Sequence, residues 1–210
     1  MDIAIIDYGV GNLRSAEKAF QHLGFDAALT RDPSALASAR KIVLPGVGAF
    51  GECMERLREN GFIEPLLKEV RASKPLLGIC VGLQMLFDGS EETPGVAGLG
   101  LLKGTVRKFS GAEFGSSSGL KIPQIGWNVL TYPDDAKRHA LFADLPTGSH
   151  VYFVHSYFAY PDDPSDVLAF SDYGGPFCAS AGRGNVMGVQ FHPEKSQRAG
   201  LAILSNFGKA

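Results

Sequence analysis

The stretch LLGICVGLQMLF (Leu76–Phe87) sets a short apolar run against an amphipathic one, with Cys80 at the junction between Gly78 and Gly82. The change of pattern predicts a strand running into a helix. Glycines two residues to either side of Cys80 leave room for a sharp, strained turn with the spacing of the G-x-S-x-G nucleophile elbow. A side chain at such a turn is held away from its neighbours. The helix start adds positive potential and free N–H groups near the sulfur, which suits the thiolate, the reactive form. The main-chain N–H of Val81 would also face a developing oxyanion. The same residues equally fit a small buried cysteine beside packing glycines, because free Cys is among the most buried residue types.

Outward from this turn, DIAIID (Asp2–Asp7) and KIVLP (Lys41–Pro45) are nearly continuous apolar runs, the pattern of strands covered on both faces. Between them Asn12 can cap a helix carrying Leu13, Ala16, Phe20 and Leu23 at helical spacing. FIEPLLKEVRA reads as a further helix leading to the strand LLGIC, and the alternation implies right-handed crossovers and a parallel sheet. The second half differs. KGTVRKF, IGWNVL, VYFVHSYF, VLAFSDY, FCASAG and NVMGVQF are strand-like segments separated by turns, so added, partly antiparallel strands are expected there. A helix over Leu201–Phe207 closes the chain, and GAEFGSSSG (Gly111–Gly119) is a flexible loop by composition. The expectation is one α/β domain over residues 1–210, an open, mostly parallel sheet flanked by helices.

Lys plus Arg number 20 against 22 Asp plus Glu, a formal charge of -2, so there is no electrostatic footprint for nucleic acid or an anionic membrane. A small molecule or a protein is the expected partner. Cys53, Cys80 and Cys178 are an odd, widely spaced set that suits neither a disulfide framework nor a metal clip, and a reducing cytoplasm is the simplest compartment. MDIAIIDYG has no basic region ahead of its apolar run, and no stretch approaches the roughly 20 apolar residues of a membrane span, so a soluble, unprocessed chain is expected.

A reactive cysteine needs a base. GVQFHPEKS (Gly188–Ser196) offers His192 at the end of an apolar strand, with Pro193 biasing it away from helix and Glu194 two residues on, placed to orient the imidazole. A carboxylate accepting one ring N–H fixes the tautomer and stabilises the imidazolium beside a thiolate. Taken singly, His192 also reads as an exposed turn residue and Glu194 as a solvated charge. His22 and His139 read as surface, and His150 begins a strand. His155 is the rival, inside a strand, yet it has no carboxylate within two positions and equally fits a hydrogen-bonded core histidine.

Gly46, Gly48 and Gly51 in PGVGAFG match G-x-G-x-x-G, a hint of a dinucleotide site. That fingerprint belongs to a first βα turn and wants an acidic residue ending the next strand, which here ends at Cys80. The other readings are a loop that brings backbone N–H groups to an oxyanion at the neighbouring strand, and an ordinary tight turn.

Together, PGVGAF, GICVGLQ and HPE, in this order and spread over nearly the whole chain, resemble the glutamine amidotransferases of the Cys-His-Glu triad type. Within that superfamily YGVGNLRS (Tyr8–Ser15), PQIGWN (Pro123–Asn128), YFVHSYF (Tyr152–Phe158) and HPEKS are similar to the glutaminase subunits of imidazole glycerol phosphate synthase, of the histidine pathway. The resemblance implies a class I glutamine amidotransferase-like, flavodoxin-like fold and a chemistry without cofactor or metal. By the same carry-over, Cys80 attacks the side-chain amide carbon of glutamine, His192 shuttles the proton to departing ammonia, and Glu194 orients His192. Gln84 and the Ser156-Tyr157 backbone would hold the amino acid head group, with Glu92 for its ammonium. The oxyanion donors would be Val81 and the Val47-Gly48 peptide region. Gln84 also reads as a polar helix position and Ser156-Tyr157 as strand packing.

Ammonia released into neutral water is mostly protonated and no longer nucleophilic, so a glutaminase that feeds a synthesis must pass its product through a dry route. In the resembling family the chain docks on a (β/α)8 cyclase subunit, and Trp127 and Lys195 are the candidates for that interface, against core packing and a solvated charge respectively. The competing readings are a glutaminase serving another synthase, a stand-alone cysteine hydrolase, and a dinucleotide-binding module.

Overall fold

The computed structural model describes residues 1–115 and 119–210, so residues 116–118 of the Gly111–Gly119 loop lie outside the described residues. In chain order the elements are β1 (Ile3–Ile6), α1 (Leu13–His22), β2 (Ala27–Thr30), β3 (Lys41–Gly46), α2 (Phe50–Glu59), α3 (Ile63–Arg71), β4 (Leu76–Cys80) and α4 (Val81–Gln84). They continue with β5 (Gly89–Ser90), β6 (Gly104–Lys108), β7 (Gln124–Val129), β8 (His150–His155), β9 (Tyr157–Pro161), β10 (Val167–Asp172), β11 (Pro176–Arg183), β12 (Val186–Val189) and α5 (Gln197–Lys209).

The main sheet has the order β2-β1-β3-β4-β12-β11-β9-β6-β5, with β10 beside β11. The block from β2 to β12 is parallel, and antiparallel pairing begins at β12–β11 and carries on through β9 and β6. β7 and β8 form a separate antiparallel ribbon. This is the open α/β sheet with added antiparallel strands that the patterning predicts. Every residue of β1, β4 and β12 is buried, which is why these strands are apolar on both faces rather than alternating. Phe20 of α1 meets Phe207 of α5 with ring centroids 6.3 Å apart, locking the first helix to the last. Among the described residues no helix is long and apolar enough to cross a membrane.

Four local expectations are revised. The helix after Cys80 is one turn, because the carbonyls of Met85, Leu86 and Phe87 accept from Leu99, from Leu101 and Leu102, and from Gly100 instead of continuing the helical ladder. VYFVHSYF is two strands. His155 belongs to the ladder with Gln124, Tyr157 to the ladder with Lys108, and the chain changes sheets at Ser156. The last helix begins four residues earlier than Leu201 and ends at Lys209. His139 is half-buried rather than on the surface, its Nδ1 accepting the Leu141 N–H at 3.1 Å.

Close approach at the end of β4 explains the glycines. A Cβ on Gly82 would lie 1.9 Å from the Leu44 carbonyl oxygen, and one on Gly78 would lie 2.6 Å from the Gly82 oxygen. The Gly82→Ala variant is therefore expected to lose roughly 2–3 kcal/mol of stability in urea unfolding. Gly89→Ala, whose Cβ comes no nearer than 3.4 Å to the Val96 oxygen, should stay within about 0.5 kcal/mol of the parent. Equal stability of the two variants would contradict the close-approach reading.

Candidate active site

β4 lies between β3 and β12 and ends at Cys80, whose φ of 57° and ψ of -115° place a non-glycine residue in the strained left-hand half of conformational space. Such a conformation costs about 1–3 kcal/mol and persists only where the surroundings over-determine it. Here they do, because β3 and the backbone of α4 pack against the turn through glycines on both sides. The site is at the carboxyl ends of the parallel strands, the place where open α/β sheets bind ligands.

His192 reaches the same place from the segment after β12. Its backbone is extended, with φ of -98° and ψ of 96°, as the following proline requires. Pro193–Lys195 then forms a 3-10 turn rather than continuing extended, and it is this turn that folds the Glu194 carboxylate back onto the ring. His192 Nδ1 lies 2.8 Å from Glu194 Oε1, with side-chain exposures of 5% and 2%. The ring shares the lining of one pocket with the Cys80 sulfur, which favours its charged form. Burial alone would lower the imidazole, but the sulfur and the carboxylate overcome it and raise His192 to about 10. Ser196 Oγ donates to the His192 carbonyl at 2.6 Å and accepts the Tyr152 N–H at 2.9 Å, tying the turn to β8.

His155, the rival base, is buried between the Tyr157 carbonyl, 2.8 Å from Nδ1, and the Gln124 side-chain amide, 2.9 Å from Nε2. Burial pushes it down to about 4, the Tyr157 carbonyl opposing and His192 assisting, so it stays neutral. Its two ring nitrogens are both engaged, by the Tyr157 carbonyl and the Gln124 side chain.

A pocket of about 320 Å³ is lined by Val47, Gly48, Cys80, Val81, Gln84, Glu92, Pro123, Val154, His155, Ser156, Tyr157, His192 and Lys195. That volume suits a small metabolite. The structure thus gathers every residue the sequence reading singled out except Glu194, which stands behind His192, and Trp127, which is on β7. The Gln84 amide nitrogen is engaged by the Tyr157 carbonyl at 3.1 Å and Gln190 Oε1 at 3.0 Å, leaving its own carbonyl as the atom to face a ligand. Glu92 Oε2 accepts the Phe50 N–H at 2.7 Å, so part of its charge already caps α2. On β7, Trp127 is 46% exposed, stacks edge-on against Tyr152 at 5.9 Å, and shares that ring with the Lys195 ammonium, also 5.9 Å away.

Two contributors escape the sequence reading. Asn12 makes no side-chain cap for α1; its Nδ2 donates to Glu194 Oε1 at 3.3 Å instead. Gln190, fully buried, points its Nε2 at Cys80 Sγ at 3.8 Å. Its signal was a lone amide inside an apolar strand, two residues before His192.

The sequence profile of the class-I glutamine amidotransferase family matches residues 4–210. The imidazole glycerol phosphate synthase subunit HisH of Syntrophotalea carbinolica is 51% identical over 207 residues, covering 98% of each chain. The subunit of the same name from Geobacter sulfurreducens is 48% identical over 99% of this chain and 98% of that one. Among solved structures, a glutamine amidotransferase superposes over 100% of both chains with a TM-score of 0.75 at 19% identity, and PurLQS of Thermotoga maritima over 98% and 96% with a TM-score of 0.72 at 20% identity. The structural likenesses establish the fold, and the profile and the relatives establish that this chain belongs to the class-I glutamine amidotransferases.

Proposed function

We propose that this chain is the glutaminase subunit of an imidazole glycerol phosphate synthase, that residues 1–210 form one glutamine amidotransferase domain, and that Cys80, His192 and Glu194 are its catalytic triad. The observation that carries the reading is the strained Cys80 held against a buried His192–Glu194 pair at the head of a metabolite-sized pocket. The full-length relatives named for that synthase support the choice of pathway.

The Cys80 thiolate attacks the side-chain amide carbon of glutamine, and the oxyanion that forms takes N–H bonds from Val81 and the Val47-Gly48 region. The His192 imidazolium gives its proton to the departing ammonia. The γ-glutamyl thioester is then hydrolysed by water that His192 deprotonates, Glu194 holding the ring throughout. The Gln84 carbonyl, Glu92 and the Ser156-Tyr157 backbone hold the amino acid head group. The ammonia passes to a cyclase subunit, which uses it to make imidazole glycerol phosphate and an aminoimidazole carboxamide ribotide. The face bearing exposed Ile125 and Trp127, with Lys195 beside the pocket, is where we place that subunit. The compartment we assign is the cytoplasm, consistent with three buried, unpaired cysteines.

Glutamate release from glutamine is expected to rise strongly when the cyclase subunit and its nucleotide substrate are added, and to vanish in Cys80→Ala. Release that ignores the cyclase would point to a different acceptor or a free-standing hydrolase. Trp127→Ala should raise the Kd for the cyclase by about tenfold or more, as truncation of an aromatic anchor does. An unchanged Kd would move the interface elsewhere.

His192, raised from its ordinary 6.5 to about 10, adds stability that is fully present below pH 6.5 and is lost as the pH climbs through about 10. Removing the sulfur removes one of the causes that raise it. In an NMR titration the His192 midpoint should therefore fall in Cys80→Ala by about one unit or more. A midpoint that does not move would mean that sulfur and imidazole are not paired.

A further inference from the structure

Behind the Pro45–Gly48 loop lies a pair of side chains that the mechanism above does not use. Tyr8, just past β1 and 1% exposed, donates its hydroxyl proton to the Pro45 carbonyl at 2.7 Å. Cys53, fully buried in the first turn of α2, donates its S–H to the Val47 carbonyl at 3.3 Å. The two side chains thus bond to carbonyls two residues apart, Pro45 and Val47. A Cβ on Gly46 would lie 3.1 Å from the Tyr8 hydroxyl and 2.8 Å from the Gly82 amide nitrogen, so the loop is squeezed between this pair and the elbow.

The carbonyls on both sides of Gly46 are therefore tethered to one buried pair. In a trans peptide C=O and N–H point in opposite directions. Turning the Val47 carbonyl onto Cys53 turns the Gly48 N–H away from α2. Val47 and Gly48 border the pocket that holds Cys80, while Gly46 and Val47 also border a small cavity of about 10 Å³ shared with Asn12 and Glu194. The loop thus touches both ends of the triad. Gly46 is still paired with Cys80 in the β3–β4 ladder, but past it Gly48, at a φ of 87°, leaves the Val47–Gly48 peptide room to turn otherwise, so the bond from Cys53 to the Val47 carbonyl is what holds its orientation. Burial keeps both tethers protonated, lifting the Tyr8 hydroxyl well above its usual range and Cys53 up to about 11.

We propose that Tyr8 and Cys53 are positioning residues that hold the Pro45–Gly48 loop in the orientation that presents its N–H groups to the oxyanion formed at Cys80. The proposal rests on the glutaminase reading and adds to it a device on the far side of the loop. The cysteine and the tyrosine act through hydrogen bonds to two carbonyls, and neither lines the pocket.

The test compares wild type with Tyr8→Phe, Cys53→Ala and Cys53→Ser, each in complex with the cyclase subunit and its nucleotide substrate. For Tyr8→Phe and Cys53→Ala, kcat for glutamine hydrolysis should fall about tenfold or more, short of the roughly 10²–10³ that outright loss of an oxyanion donor costs. KM for glutamine should stay within about twofold, the mark of an interaction made in the transition state. Cys53→Ser, whose hydroxyl donates to the same carbonyl, should recover most of the loss. Alkylation of Cys80 by iodoacetamide, followed by peptide mass, forms no oxyanion and should keep its wild-type rate in all three variants. A parallel fall in alkylation and hydrolysis, or a raised KM with unchanged kcat, would make the pair merely structural and overturn the proposal. Wild-type kinetics in the variants would overturn it while leaving the glutaminase reading intact, and a wild-type complex that releases no glutamate would sink both.

Discussion

The structure turns on the backbone of Cys80, forced to a φ of 57° at the end of the central strand β4. Nothing local to a cysteine favours that conformation. It is imposed by packing so tight that the Leu44 carbonyl and the Gly82 backbone leave no room for side chains at Gly82, Gly78 and Gly46. The strain is thus distributed over β3, β4 and α4, and the fold's most buried strands supply the energy that holds it. The same packing aims the sulfur out of the sheet and into the pocket.

Electrostatics complete what sterics begin. A buried imidazole beside a sulfur and a carboxylate is costly to desolvate, and it remains charged because both partners and their supports are in place. Glu194 is held by Asn12, and the backbone of His192 by Tyr152 and Ser196. His155, in the same pocket but more deeply buried and hydrogen-bonded only to neutral groups, is driven the other way and stays uncharged. Two histidines in one pocket are thereby separated into a charged ring and a neutral one, which is the contrast the proposed proton transfer by His192 needs.

Much of this was legible in the sequence, because the glycine spacing around Cys80 and the order His192, Pro193, Glu194 are local patterns with local causes. The strand character of the second half was legible for the same reason. The length of α4 was not, since it is ended by carbonyl bonds to residues 98–102, and the break at Ser156 was not, since it is set by two ladders distant in sequence. Asn12 looked like a helix cap but serves Glu194, 182 positions away. Gln190 looked like an interior strand position and Cys53 like one of three scattered cysteines, and only tertiary contact shows what their polar atoms face.

Three cysteines give the account a sharp internal control. Cys53 and Cys178 are raised by burial to about 11 and about 12, and both donate to backbone carbonyls, so neither should act as a nucleophile. The most direct measurement is a rapid acid quench of the chain turning over glutamine with the cyclase subunit, followed by peptide mass analysis. A γ-glutamyl adduct on the Cys80 peptide alone is the predicted result. No adduct under turnover, or an adduct on Cys53 or Cys178, would contradict the central claim that the strained residue at the end of β4 carries the reaction.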